Sequence, residues 1–338
     1  MRGPLRSTKL VGALGTTAVL TVAWWLLSNH GFAPVLQLVR HAGWLGLSAV
    51  IFFHLGQMFF SAAGWRVIAG STEPQKGLRI FMLLRWIREA VNNLLPVAQI
   101  GGEFVGARLL ERGGVKLTAA IAGAVCDLTM EMATQIAFTV LGLGLLLLTV
   151  QDHSIAISVV VGLAAATGVA CGFFVAQWVG MARLIEAALL RLGKALGRQE
   201  FGQIEGLHAA LIALYRSPRR LLQAAGLHSV SWLLGGVEVC LALHVLGHDV
   251  NLSSGLVIES LGQAAKAAGF AVPGALGVQE AGYAVVIAVF GVSPELGIAL
   301  SLVKRLREIV FALPGLAAWH WFETRPRTRW AHSPGATP

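Results

Sequence analysis

Charge is what this chain of 338 residues has least of: Asp, Glu, Lys and Arg together make up 13% of it, while 56% is hydrophobic. A soluble domain carries roughly 25% charged residues, so a chain this poor in them cannot clothe a water-exposed surface and is expected to be embedded in a membrane. Cysteine is scarce as well. Cys126, Cys171 and Cys240 are an odd number, lie in apolar runs and form no CxxC, which excludes a disulfide framework and leaves them as packing residues. The sequence has no GxxxxGK[ST], which excludes a P-loop ATPase as the motor. It has no HExxH and no GxSxG, and so no recognisable zinc-protease or serine-hydrolase centre.

What is present is length in apolar runs. Segments near 10–29, 44–69, 117–149, 154–177, 220–247 and 294–321 are each long enough to cross a hydrocarbon core of about 30 Å. Two further stretches, 76–116 and 252–292, are moderately apolar and broken by a proline, and each has the length of two half-helices. The expected fold is therefore an all-α polytopic membrane protein: six membrane-spanning helices plus two re-entrant helical hairpins. The first run follows MRGPLRSTK and is succeeded by Ser28-Asn29-His30 rather than an A-x-A-like site, so it reads as an uncleaved span. Residues 181–215 repeat apolar positions at helical spacing between Arg183, Arg191 and Lys194, the pattern of an interfacial amphipathic helix. A single membrane domain is expected over 1–321, with a basic, disordered cytoplasmic tail over 322–338.

A net charge of +9 would suggest nucleic acid in a soluble protein. Here the cations cluster between the spans, the signature of cytoplasmic loops, and no nucleic-acid partner is expected. Arg2, Arg6 and Lys9, the group from Lys76 to Lys116, the group from Arg183 to Arg220, and Arg325, Arg327 and Arg329 are assigned to the cytoplasmic side with both termini. The remaining connections carry little more than Arg40 and Lys266.

Pro96 to Glu131 recurs without a gap 177 positions later, as Pro273 to Glu308. In both copies a Glu follows the Pro by seven residues, Glu103 and Glu280. Ala107 then matches Ala284, Gly114-Val115 matches Gly291-Val292, and Ile121-Ala122 matches Ile298-Ala299. Repeat one is placed at about 44–149 and repeat two at about 220–321. The linking span at 154–177 would invert the second against the first, the inverted-repeat plan of secondary transporters.

The candidate pathway residues follow from the repeat. Asp127 and Glu131 stand four apart, as do Lys304 and Glu308, so each pair shares a helix face. At 1.5 Å per residue Asp127 and Lys304 lie about 15 Å from the span starts, near the midplane. Arg305 and Arg307 add cations, and three cations beside one acid would suit an anionic or polyhydroxylated headgroup. The plainer alternative is a buried structural network. Glu103 and Glu280 either complement a helix dipole or line the cavity, where they would take a proton or bind a substrate hydroxyl. Pro96, Gly101, Gly102, Pro273, Gly274 and Gly277 are read as the re-entrant turns. Gln57, Gln135 and Glu238 read as hydrogen-bond partners between spans. His244 and His248 are four apart but lack a third ligand, so no metal, and no cofactor of any kind, is expected.

The second copy, VPGALGVQEAGYAVVIAVFGVSPELGIALSLVKRLREIVFALPGLAAW, resembles the flippase-like membrane domain family related to the transmembrane region of lysylphosphatidylglycerol synthases. Its PGALGVQE turn and L-S-L-x-K-R-x-R-E helix are similar to the hopanoid-associated HpnL-type subgroup. The resemblance marks Pro273, Gly277, Glu280, Lys304, Arg305, Arg307 and Glu308 as motif positions. It implies a non-enzymatic lipid transporter or flippase of the bacterial cytoplasmic (inner) membrane, acting on hopanoids or anionic phospholipids, with hopanoid biosynthesis or transport proteins as partners. No aminoacyl-transferase domain follows the last span, so lysylphosphatidylglycerol synthesis is not expected. The alternatives are a scaffold for hopanoid enzymes and an intramembrane enzyme acting on a lipid headgroup.

Overall fold

The computed structural model describes residues 32–70, 76–95, 101–149, 206–268, 275 and 277–324, and among these every regular element is a helix. In chain order they are α1 (Phe32–Ala69), α2 (Leu78–Leu94), α3 (Gly101–Arg112), α4 (Leu117–Thr149), α5 (Leu207–Tyr215), α6 (Pro218–Val245), α7 (Leu252–Ala268), α8 (Val278–Val289) and α9 (Pro294–Thr324). Three of them are long and apolar enough to cross a membrane: the part of α1 over Ala42–Ala69, α4 and α6. Gly43, at φ 70°, breaks α1 at the start of its apolar stretch. The 31 residues of α9 exceed the length a crossing needs, but Lys304, Arg305, Arg307 and Glu308 interrupt its apolar run. The expected spans at 10–29 and 154–177, Pro96, Pro273 and Gly274 lie outside the described residues, as do most of 181–215 and most of the tail. Of the expected amphipathic segment, α5 is the described part, and α9 runs on to Thr324.

The 177-residue offset reappears in the helix boundaries. Twelve-residue α3 and α8 begin 177 positions apart, and so do α4 and α9. The turns between them coincide as well: Gly114 and Gly291 both adopt positive φ, 95° and 71°. At the first turn Val115 N–H donates to Leu110 O and Gly114 N–H to Glu111 O, a helix end that needs a left-handed residue at its centre. Glycine supplies it without the Cβ clash that any other residue would meet. The two 17-residue helices before the prolines, α2 and α7, are offset by 174 positions instead, so the second copy has three extra residues before its proline.

The described residues fall into two compact units. Unit I takes its residues from 32–55, 86–102 and 235–324; unit II takes its from 56–85 and 103–234. In unit I, α8 packs against α7 and α9. The approach of α8 to α9 depends on Gly297, where a Cβ would stand 2.5 Å from the Tyr283 carbonyl oxygen. In unit II the core joins Ile68 of α1, Ala122 and Cys126 of α4, Leu207, Leu211 and Leu214 of α5, and Ala224 of α6. Trp65 meets Phe81 edge to face, and Phe138 stacks on Trp232.

Candidate functional site

Unit I holds a buried ionic cluster built from six helices. From α9 come Lys304, Arg305, Arg307 and Glu308, all buried. Lys304 Nζ donates to Glu259 Oε2 of α7 at 2.8 Å, stands 3.5 Å from Glu238 Oε1 of α6, and lies 5.7 Å from the centre of the Tyr283 ring. Glu259 also accepts from Tyr283 Oη at 2.9 Å and Gln263 Nε2 at 2.8 Å. One helical turn along α7 from Gln263, Lys266 Nζ donates to Glu308 Oε1 at 2.6 Å. Arg305 Nε donates to Glu280 Oε1 at 3.1 Å, and the other oxygen of Glu280 accepts the Gly277 N–H that opens α8. Glu280 is thus at once a helix cap and an ion-pair partner.

Arg307 Nη1 donates to Glu238 Oε1, and its Nη2 stands 3.8 Å from Glu308 Oε1. Glu238 further approaches His54 of α1, with Oε2 at 3.5 Å from Nδ1, while His54 Nε2 meets Glu89 Oε2 of α2 at 3.0 Å. His54, Trp86, Glu89, Asn93, Arg307 and Phe311 border a narrow cleft, which has room for about one water molecule. A headgroup does not fit there unless the helices move.

This arrangement corrects the expectation of surplus positive charge around Lys304. Lys304, Arg305 and Arg307 each have carboxylate partners, and these come from Glu238, Glu259 and Glu280 as well as Glu308. It also revises the reading by helix face. Within α9, Lys304 and Glu308 share a face, yet each takes its short ion pair from α7. The sequence reading missed His54, Glu89 and Glu259 and underrated Glu238. A signal was available, since an ionisable residue inside an apolar helix marks itself.

Unit II holds a second polar chain. Asp127 Oδ1 lies 3.0 Å from His228 Nε2, and His228 Nδ1 lies 3.4 Å from Ser61 Oγ. Their exposures are 0%, 1% and 2%, so no substrate reaches the serine in this arrangement. The order of residues is that of a hydrolytic triad, but the ring nitrogens are exchanged, Nε2 facing the aspartate and Nδ1 the serine, and the burial is that of a packing motif. Glu131 takes both guanidinium nitrogens of Arg85, at 2.5 and 2.7 Å. Glu103 is buried in the first turn of α3, where a carboxylate complements the helix dipole. Gly101 opens that helix from the unit I side, and there Gly102 packs so closely that a Cβ would stand 2.4 Å from the Arg88 carbonyl oxygen. Tyr215 on the short α5 donates to Thr129 Oγ1 at 3.2 Å. Burial pushes its phenol up, so it stays protonated as a donor.

Elsewhere His244 turns to Asp249, 2.6 Å away and exposed. Among the described residues no three His, Cys, Asp or Glu side chains converge as a metal site. Comparison with curated proteins and with solved structures gives no match. The family model described as the lysylphosphatidylglycerol synthase TM region matches residues 11–315, nearly the whole chain, and the protein belongs to that family.

Proposed function

We propose that the protein moves lipids across or out of the bacterial cytoplasmic membrane, with hopanoids as the leading substrate class. The observation that carries this reading is the unit I cluster: five carboxyl, four lysine or arginine and one histidine side chain, joined across six helices of a strongly apolar chain. Each buried ion costs several kcal/mol in desolvation, and apolar side chains of the same volume hold helices together as well or better. Such a cluster therefore suits a polar path better than a mere fastening. Each cation faces a carboxylate, so the path favours a hydroxylated or zwitterionic headgroup over a purely anionic one. Membership of the family and the motif positions Glu280, Lys304, Arg305, Arg307 and Glu308 support the same reading.

In this proposal α2–α3 and α7–α8 form the re-entrant hairpins of an inverted repeat with six spans and cytoplasmic termini. Helices of 12 residues are about 18 Å long and too short to cross, which agrees with that plan. The protein needs no catalytic step. The test is a comparison of hopanoids in the inner and outer membranes of cells with and without the protein. Transport predicts the same lipid species in altered locations.

A scaffold predicts unchanged location on Lys304→Met and loss of hopanoid enzymes from a pull-down. The enzymatic alternative would have to use the Ser61–His228–Asp127 chain, which must open before a substrate reaches it. It predicts that Ser61→Ala changes which lipid species are present.

A further inference from the structure

His54 carries more proton-accepting capacity than a structural role uses. A neutral imidazole has one N–H and one lone pair. Both nitrogens of His54 face carboxylate oxygens, Nε2 toward Glu89 at 3.0 Å and Nδ1 toward Glu238 at 3.5 Å. Whichever neutral tautomer forms, the other nitrogen turns its lone pair toward an oxygen lone pair at the edge of a cleft with room for about one water. Nδ1 makes no hydrogen bond as the ring stands, although it is buried. A second proton turns that repulsion into a bond.

We propose that the Glu89–His54–Glu238 bridge is a proton-binding site, loaded and emptied as lipid moves, and that the proton is the coupling ion. This rests on the transport reading. The groups around the ring are compatible with it. Glu89 from α2 and Glu238 from α6 favour the cation; Arg307 from α9, bonded to Glu238, opposes it and makes release possible; and Phe311 from α9 meets the ring edge to face at 5.4 Å. His54 and Glu89 border the cleft and are 13% and 20% exposed, while Glu238 is 1% exposed, so the proton enters from the Glu89 side. Loading adds one N–H bond and closes α1 onto both α2 and α6. Unloading leaves Glu238 with its cationic partners Arg307 and Lys304 and frees α1 to shift.

The test uses the full chain with ¹⁵N-labelled histidine, in vesicles of phosphatidylethanolamine and phosphatidylglycerol. His54 is assigned by the signal lost in His54→Gln. Both its nitrogens are expected to carry protons at pH 7, and Glu89→Gln should leave one proton at that pH. In the same vesicles a tagged phospholipid, read by chemical quenching from outside, should move at least tenfold faster under a proton gradient than without one. A neutral His54 at pH 6 in the unsubstituted protein overturns the proposal. So does lipid movement indifferent to the gradient, which leaves the transport reading standing. A doubly protonated His54 with no lipid movement overturns the coupling by overturning transport itself.

Discussion

A charge buried in an apolar chain must find the best partner that folding offers, and at the residue scale this explains which pairs form. Neighbours four apart on one helix gain only about 0.2–0.5 kcal/mol. Breaking a buried pair by removing one member costs about 3–5 kcal/mol. Short, well-aimed pairs from other helices therefore win: Lys304 with Glu259, Glu308 with Lys266, Asp127 with His228 and Glu131 with Arg85. Lys304→Met should destabilise the purified protein by about 3–5 kcal/mol, because it removes one member of a buried pair and leaves Glu259 without that cation. The double substitution with Glu259→Gln should recover much of that loss, a coupling that thermal unfolding in detergent would measure. Ser61→Ala, by contrast, removes one long hydrogen bond. Because it leaves His228 Nδ1 buried without that partner it should cost about 1–3 kcal/mol, and it should leave the lipid species unchanged by mass spectrometry.

At the scale of elements, the turns were the most legible part of the sequence. The Gly-Val landmarks at Gly114 and Gly291 mark two left-handed helix ends, and α3 and α8 start 177 positions apart, at the spacing of the repeat. Substituting Gly291 by Ala should cost about 1–2 kcal/mol, the penalty of a Cβ in that conformation, again read by thermal unfolding. Gly297→Leu should do more. Its side chain would press α8 away from α9 and separate Glu280 from Arg305, lowering both stability and lipid movement. What the sequence hid was the partner of each charge. Glu259 and Glu238 carry no local sign of pairing with Lys304, since packing alone joins positions 45 and 66 apart. His54 resembled any other histidine on an apolar helix until Glu89 and Glu238 stood on either side of its ring.

For the whole molecule, the inverted repeat proposed above would make equivalent positions face opposite sides of the membrane. In a background lacking Cys126, Cys171 and Cys240, Lys116→Cys should react only with reagent supplied from the cytoplasm. Glu295→Cys, just past the corresponding turn, should react only from outside. Labelling of both from one side would refute the inversion while leaving the family and the ionic cluster untouched.

The central claim is that the unit I cluster forms the path of a lipid. Reconstitution of the full chain, with a tagged lipid and a hydroxylated hopanoid followed between leaflets, tests it most directly. The expected result is movement above that of protein-free vesicles, reduced at least tenfold per folded molecule by Glu259→Gln. The contradicting result is no movement of either lipid under any ion gradient, or movement that Glu259→Gln leaves unchanged.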